Sequence, residues 1–347
     1  MNTAGVAIVI LNFNGKFFLE KFLPGVLKNS SGHKIYVADN GSSDDSVKFL
    51  SANFPQVTII SIKDNCGYAQ GYNIALKQIT ADYYVLLNSD VEVTPNWIEP
   101  IIELMQRDMK VAACQPKLLD FKERATFEYA GASGGFIDTY GYPFCRGRIF
   151  NSLEKDNGQY NDSSEVFWAT GACLFVRSKA FWEVGGLDND YFAHMEEIDL
   201  CWRLKNIGHT IFVEPRSTVY HVGGGTLNKL SSRKTFLNFR NNLITLTKNH
   251  SPNFLFFKLF YRLALDGIAA LKFLFSGQPK HFWAVIRAHF AYYWLLPQTL
   301  LKRKELKTIS NFKYCRSFVY NGNIVFDHFL KGKKKFSDLE KERFFKH

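Results

Sequence analysis

Four groups of polar residues stand where apolar runs of the chain end. They are Asn12 and Asn14; Asp39, Asn40, Ser42 and Asp44; Asn65, Gly67 and Asn73; and Asn88, Ser89 and Asp90. Amides and hydroxyls at such ends suit hydrogen bonding to a nucleotide or a sugar. Asp90, with Glu92 two residues on, suits a hard divalent cation that bridges a diphosphate. Strand–helix turns use the same residue types, so each group alone reads equally as a turn. A second constellation is Glu196-Glu197-x-Asp199-Leu200-Cys201-x-Arg203. On a helix, Glu196 and Asp199 share a face, as do Asp199 and Arg203. Glu197 lies about 100° round from Glu196 and can enter a cleft separately. A carboxylate so placed can take a proton from an attacking hydroxyl. A helix N-terminus attracts acids for its dipole alone, and that reading stays open beside the first. His221, between Tyr220 and a glycine run, reads as either a ligand or a structural histidine.

The runs that must position these residues alternate in type. Residues 6–11 are apolar on both faces, as in a buried parallel strand. A helical pattern follows to about Leu27, then a strand at 34–38 and a helix carrying Val47 and Leu50, with Ser43 as its expected cap. Further strands are expected at 57–62 and 83–87, with a helix at 68–79 between them. Strands alternating with helices mean βαβ units and a mostly parallel sheet. Ligands of such sheets bind beyond the carboxyl ends of the strands, where all four polar groups fall. From 111 to 228 the pattern is less regular, with an apolar segment at 171–176.

Several classes are excluded. There is no G-x-x-x-x-G-K-[ST] loop, and the first turn lacks G-x-G-x-x-G. A sugar nucleotidyltransferase would need a glycine-rich triphosphate loop between Leu11 and Lys21, where none stands. Six cysteines form no C-x-x-C pair and no disulfide framework, which points to a reducing compartment. The first residues lack a basic stretch, and the apolar run after them is too short for a signal peptide.

The ordered series Asn12-Phe13-Asn14-Gly15, Asp39-Asn40-Gly41-Ser42-Ser43-Asp44, Asn65-x-Gly67-Tyr68-Ala69-x-Gly71-x-Asn73 and Asn88-Ser89-Asp90 resembles family 2 glycosyltransferases, most closely the rhamnosyltransferase-like branch. The resemblance spans about residues 6–228. It implies an α/β GT-A fold, a nucleoside-diphosphate sugar donor, dTDP- or UDP-linked, and Mg²⁺ or Mn²⁺. It implies that Asp39 bonds the pyrimidine base and that Asn12, Asn14, Asn40, Ser42, Asn88 and Ser89 line the nucleotide-sugar pocket. Asn65, Gly67 and Asn73 would shape the loop and helix beside it. Asp90 takes the metal position of a D-x-D-type motif whose first acid is here Asn88, and His221 stands near metal and diphosphate. Glu197 takes the position of the usual base, with Glu196 as competitor. Gly171, Ala172 and Asp199 fall on the acceptor side, and Arg240 on the donor phosphates; Trp168, read from its own chemistry, is a sugar-stacking face on the acceptor side or, more readily, part of the core. The expected enzyme is an inverting, metal-dependent glycosyltransferase of hexosyltransferase type, acting on a cell-surface glycan or lipid-linked acceptor. The alternative is a non-catalytic sugar-nucleotide or glycan-binding protein on the same fold.

The chain has 347 residues, a net charge of +11, and 16% aromatic residues. The charge divides unevenly. Residues 229–347 carry 23 Lys and Arg against 6 Asp and Glu, while residues 1–228 are net acidic. The expected organisation is a catalytic domain at 1–228, its donor half at about 1–110 and its acceptor half at about 111–228, followed by a basic, aromatic helical extension at 229–347. In 254–275, Lys258, Arg262 and Asp266 recur every four residues as one polar stripe on an apolar helix. Such a helix, and the similar one at 281–301, is expected to lie on an anionic membrane with its cations at the headgroups. Packing on the body and a homodimer interface remain alternatives. No nucleic-acid motif is present. The chain is thus expected in the cytoplasm, peripheral on the cytoplasmic face of the inner membrane.

Overall fold

The structure is a computed structural model that describes residues 5–223 and 231–345. Gly224 of the motif read around His221, and the expected boundary at 228, lie outside the described residues. The first half runs β1 (Val6–Asn12), α1 (Lys16–Asn29), β2 (Lys34–Asn40), α2 (Ser46–Asn53), β3 (Thr58–Ile62), α3 (Gly67–Leu76), β4 (Tyr83–Asn88), β5 (Val91–Val93), α4 (Glu99–Arg107) and β6 (Val111–Asp120). Short strands follow: β7 (Gly135–Asp138), β8 (Pro143–Cys145), β9 (Arg148–Ile149), β10 (Ser152–Leu153) and β11 (Ser164–Val166). Then come β12 (Cys173–Arg177), α5 (Ser178–Glu183), α6 (Glu196–Asn206) and β13 (Thr210–His221). The last part holds α7 (Ser232–Asn249), α8 (Leu255–Phe275), α9 (Pro279–Leu306), β14 (Val319–Tyr320) and α10 (Ile324–Phe329). The cap expected at Ser43 moves to Asp45, because Asn14 Oδ1 accepts from the Ser43 N–H and hydroxyl and holds that residue in the preceding turn.

The main sheet runs β11-β13-β6-β12-β4-β1-β2-β3, with β5 paired to β13. The βαβ half is parallel, since each apolar strand is followed by a crossover helix. Its registers are level at the carboxyl edge, where Asn12 pairs with Asp39 and Leu11 with Asn88. β12 enters antiparallel between β4 and β6. Its direction matters, for it delivers the loop before it to the same edge, and Asn88 N–H donates to Ala172 O at 2.9 Å. β13 runs parallel to β6 and ends with His221 beside Val91, next to Asp90. Apolar side chains fill both faces of this sheet.

The basic extension is built into the body. β14 adds a parallel strand to the small sheet β10-β9-β8-β7. Phe336 packs tilted and Phe344 edge-on against Phe136, with ring centroids 5.0 and 5.3 Å apart. Tyr320 is fully buried, and each aromatic buried this way contributes about 1.5–3 kcal/mol. α7 packs on α6 and lies along α9, which returns antiparallel to α8. The polar stripe of α8 faces inward, not toward headgroups as expected. Arg262 stacks over Tyr142, donates to Asp266 and to Tyr140 O, and is buried with Asp266 against His289. Two opposite charges that must leave water are better held against each other inside than split across an apolar face. Among the described residues no helix is long and apolar enough to cross a membrane.

Candidate active site

At the edge of β1 and β2 the side chains bind one another. Asn12 Nδ2 donates to Asp39 Oδ1 at 3.0 Å and to Ser42 Oγ at 3.1 Å. Asp39 Oδ2 accepts from Ser42 N–H, and Ser42 Oγ accepts from Asn14 N–H. Asn14 sits at φ 50°, a left-handed conformation an asparagine tolerates, and its Oδ1 caps Ser43 and Asp44. Asn12 Oδ1 is buried and has no partner within the protein, so an N–H from a ligand is what would satisfy it. Asn40 forms the next layer, donating to Asn65 Oδ1 and Gly67 O and accepting from Cys66 N–H. Gly67 has φ +86°, and a Cβ there would stand 2.4 Å from Phe192 O. Only glycine lets this turn press on the loop that leads to Glu196.

Asp90, His221 and Glu128 form a buried chain. His221 Nε2 lies 3.1 Å from Asp90 Oδ1. Its Nδ1 lies 3.3 Å from Glu128 Oε1, in an ion-pair arrangement outside hydrogen-bond alignment. Burial lowers the imidazole's pKa, but the Glu128 and Asp90 carboxylates outweigh it and push the group up to about 10. The pocket therefore calls for positive charge. A carboxylate and an imidazole side by side suit Mn²⁺ or a similar ion, and a second carboxylate on the far ring nitrogen is the usual support for a ligating histidine. Among the described residues no group of three His, Cys, Asp or Glu holds a metal unaided. The donor set fits an ion that takes its other ligands from diphosphate oxygens and water. Glu128 was not singled out in the sequence, since it lies in an irregular stretch with no spacing to mark it.

Glu196 and Glu197 open α6 after two left-handed residues, His194 at φ 70° and Met195 at φ 74°. Asn241 of α7 holds this turn, its Nδ2 donating to Ala193 O and His194 O. The Oε2 atoms of Glu196 and Glu197 are both buried and without a protein partner. Burial raises both pKa values. Glu197 is pushed up to about 7, and Glu196, with Glu197 and Asp199 also near it, well above the carboxylate range. Gly171 lies directly beside Glu197. A Cβ at Gly171 would lie 3.7 Å from Glu197 Cβ and 2.8 Å from the Tyr68 hydroxyl, which donates to Gly171 O.

Other residues expected at the site hold it from behind. Asp199 is fully buried and binds Arg203, Lys248 and Asn249, because three donors of α6 and α7 converge on it. Trp168 packs under Gly135 and gives its N–H to Phe136 O, so its ring is core rather than an acceptor face. Asn73 pins the loop before the acid pair through Leu187 and Asn189. Arg240 donates to Asp190 O and Asn241 Oδ1, so it also braces that loop. Asn88 and Ser89 stand half-buried at the end of β4.

The family described as glycosyl transferase family 2 matches residues 7–185. The N-acetylglucosaminyl-diphospho-decaprenol L-rhamnosyltransferase of Mycobacterium tuberculosis is 24% identical over 261 residues, 70% of this chain and 84% of that protein. The rhamnosyltransferase WbbL of Escherichia coli is 24% identical over 223 residues, 62% of this chain and 83% of its own length. Among solved structures, the mannosyltransferase of Pyrobaculum calidifontis in complex with GDP-Man and Mn²⁺ superposes with a TM-score of 0.52 at 13% identity, over 85% of this chain and 88% of that one.

Proposed function

The chain belongs to glycosyl transferase family 2, with a GT-A fold, and is a glycosyltransferase; from that premise we propose that it is an inverting, metal-dependent transferase with Glu197 as its base. In this reading the donor is a dTDP- or UDP-linked sugar, rhamnose first among candidates, and the acceptor is a lipid-linked or cell-surface glycan. The names of the two rhamnosyltransferase relatives support the sugar. The single observation that carries the mechanism is Glu197 itself, a carboxyl with an unpartnered oxygen, a pKa near 7, and Gly171 beside it.

Asp39, oriented by Asn12 and Ser42, bonds the base, while Asn14 orders the turn beneath the ribose. Asp90 and His221 would hold the divalent cation, with Glu128 fixing the imidazole, and an ion bound there would supply positive charge to offset that of the leaving diphosphate. Gly171 and Ala172 let the acceptor sugar approach the backbone. Glu197 then takes the hydroxyl proton as that oxygen bonds the anomeric carbon and the bond to the diphosphate breaks. Glu196, whose pKa burial and the neighbouring Glu197 push upward, is the competing acid and is assigned no proton-abstracting role in this reading.

The test is Glu197→Gln. Transfer should fall by about 10²–10⁴-fold, with nucleotide-sugar binding by calorimetry nearly unchanged. Retained turnover would remove Glu197 from the role.

A further inference from the structure

With its charged stripe turned inward, α8 shows solvent its apolar side. Phe257, Phe260, Ile268, Leu271 and Phe275 recur at helical spacing, roughly opposite Asp266, and are 48–83% exposed. α9 carries a matching stripe of Trp283, Phe290, Trp294 and Leu301, 57–86% exposed, on the side away from its buried Ala284, Ala288 and Tyr292. Folding has thus covered the charges and uncovered the aromatics, an arrangement water does not favour.

The charge around these stripes identifies what covers them. Lys272, Lys280, Arg287 and Lys304 are exposed on the two helices, whose acids are only the buried Asp266 and the exposed Glu305. A second copy meeting this face about a two-fold axis would set cations against cations. An anionic bilayer accepts both components, apolar rings below the headgroups and cations among them. The surface also leads to the catalytic loop. Arg287, in line with Trp283 and Phe290, lines a cavity of about 460 Å³ together with Arg233, Arg240 and Phe192. Phe192 O accepts from Tyr68 N–H beside the acid pair.

We infer that the outer face of the α8–α9 hairpin is a docking surface for anionic lipid bilayers, entered by Phe257, Phe260, Phe275 and Trp294 and lying on the membrane rather than spanning it. The inference stands apart from the identity of donor and acceptor. Its test is flotation of the full chain with vesicles of phosphatidylcholine, alone or mixed with phosphatidylglycerol. The chain should float with the mixed vesicles and less with the neutral ones. The Phe257→Ser/Phe260→Ser/Phe275→Ser variant, and Trp294→Ser separately, should weaken binding by about tenfold or more. Because these side chains face solvent, melting curves and donor hydrolysis should match the parent chain, so a fault in the transfer reading would show separately. Absence of flotation with the mixed vesicles, or undiminished flotation of both variants, overturns the inference. So does a dimeric mass by light scattering that Trp294→Ser converts to monomer without vesicle binding, which assigns the face to a second copy.

Discussion

Glu196 and Glu197 are neighbours of identical chemistry, and burial separates them. A carboxyl with a pKa near 7 is mostly ionised above neutrality and ready to take a proton. We therefore expect kcat/KM to rise through about pH 7 to a plateau, measured with saturating metal. The same shift has a cost in stability. A folded pKa above the unfolded value means that Glu197's contribution is intact below about pH 4.5 and is lost as pH rises through about 7. Glu197→Gln should accordingly raise Tm more at pH 8 than at pH 4.5 in parallel thermal melts. Glu128 touches only His221 in the proposed metal site, yet its removal frees the imidazole's far nitrogen. Glu128→Gln should weaken Mn²⁺ binding in the presence of nucleoside diphosphate by about 10–100-fold, read by titration calorimetry.

α7 owes its place in the site to contacts made from outside the sheet. Asn241 is fully buried and ties Ala193 and His194, while Lys248 and Asn249 of the same helix bind Asp199. Two consecutive left-handed residues before an acid pair persist only when neighbours over-determine them. Asn241→Ala leaves two partly buried carbonyls short of a donor, a loss of about 1 kcal/mol. The expected result is a fall in kcat with little change in donor KM, and faster hydrogen exchange at residues 193–197. The resemblance reads Arg240, which Asn241 and Asn242 follow, as a donor contact. In the fold the three side chains clamp the loop that carries the base, Asn242 reaching Gly141 O as well.

The body and the basic extension share one core, which changes how the extension can be tested. Residues 314–345 supply β14 and the rings that cover Phe136 and Phe144. Ending the chain at residue 313 should uncover these rings and lower Tm by well over 5 °C or leave the protein insoluble, checked by melts and sedimentation. Surface changes on α8 and α9, by contrast, should leave Tm in place. Charge composition marked 229–347 as distinct, but packing does not follow charge here.

The βαβ half was legible in the sequence because its signals are local: apolar runs buried on both faces, polar residues at their ends, and level registers that follow from strand length. The order Asn12, Asp39, Asn65, Asp90, Glu197 could be read along the chain without knowing any contact. What tertiary structure alone decided depends on partners far apart in sequence. Glu128 comes to His221 across 93 positions only because β6 lies beside β13. Asp199 and Trp168 carry the residue types of an acceptor site and became support, since buried donors and backbone took them first. The stripe on α8 was visible as a period of four, but a period has no sign. Whether its charged or its apolar side meets solvent was set by Tyr140, Tyr142 and His289, which gave Arg262 and Asp266 a place inside.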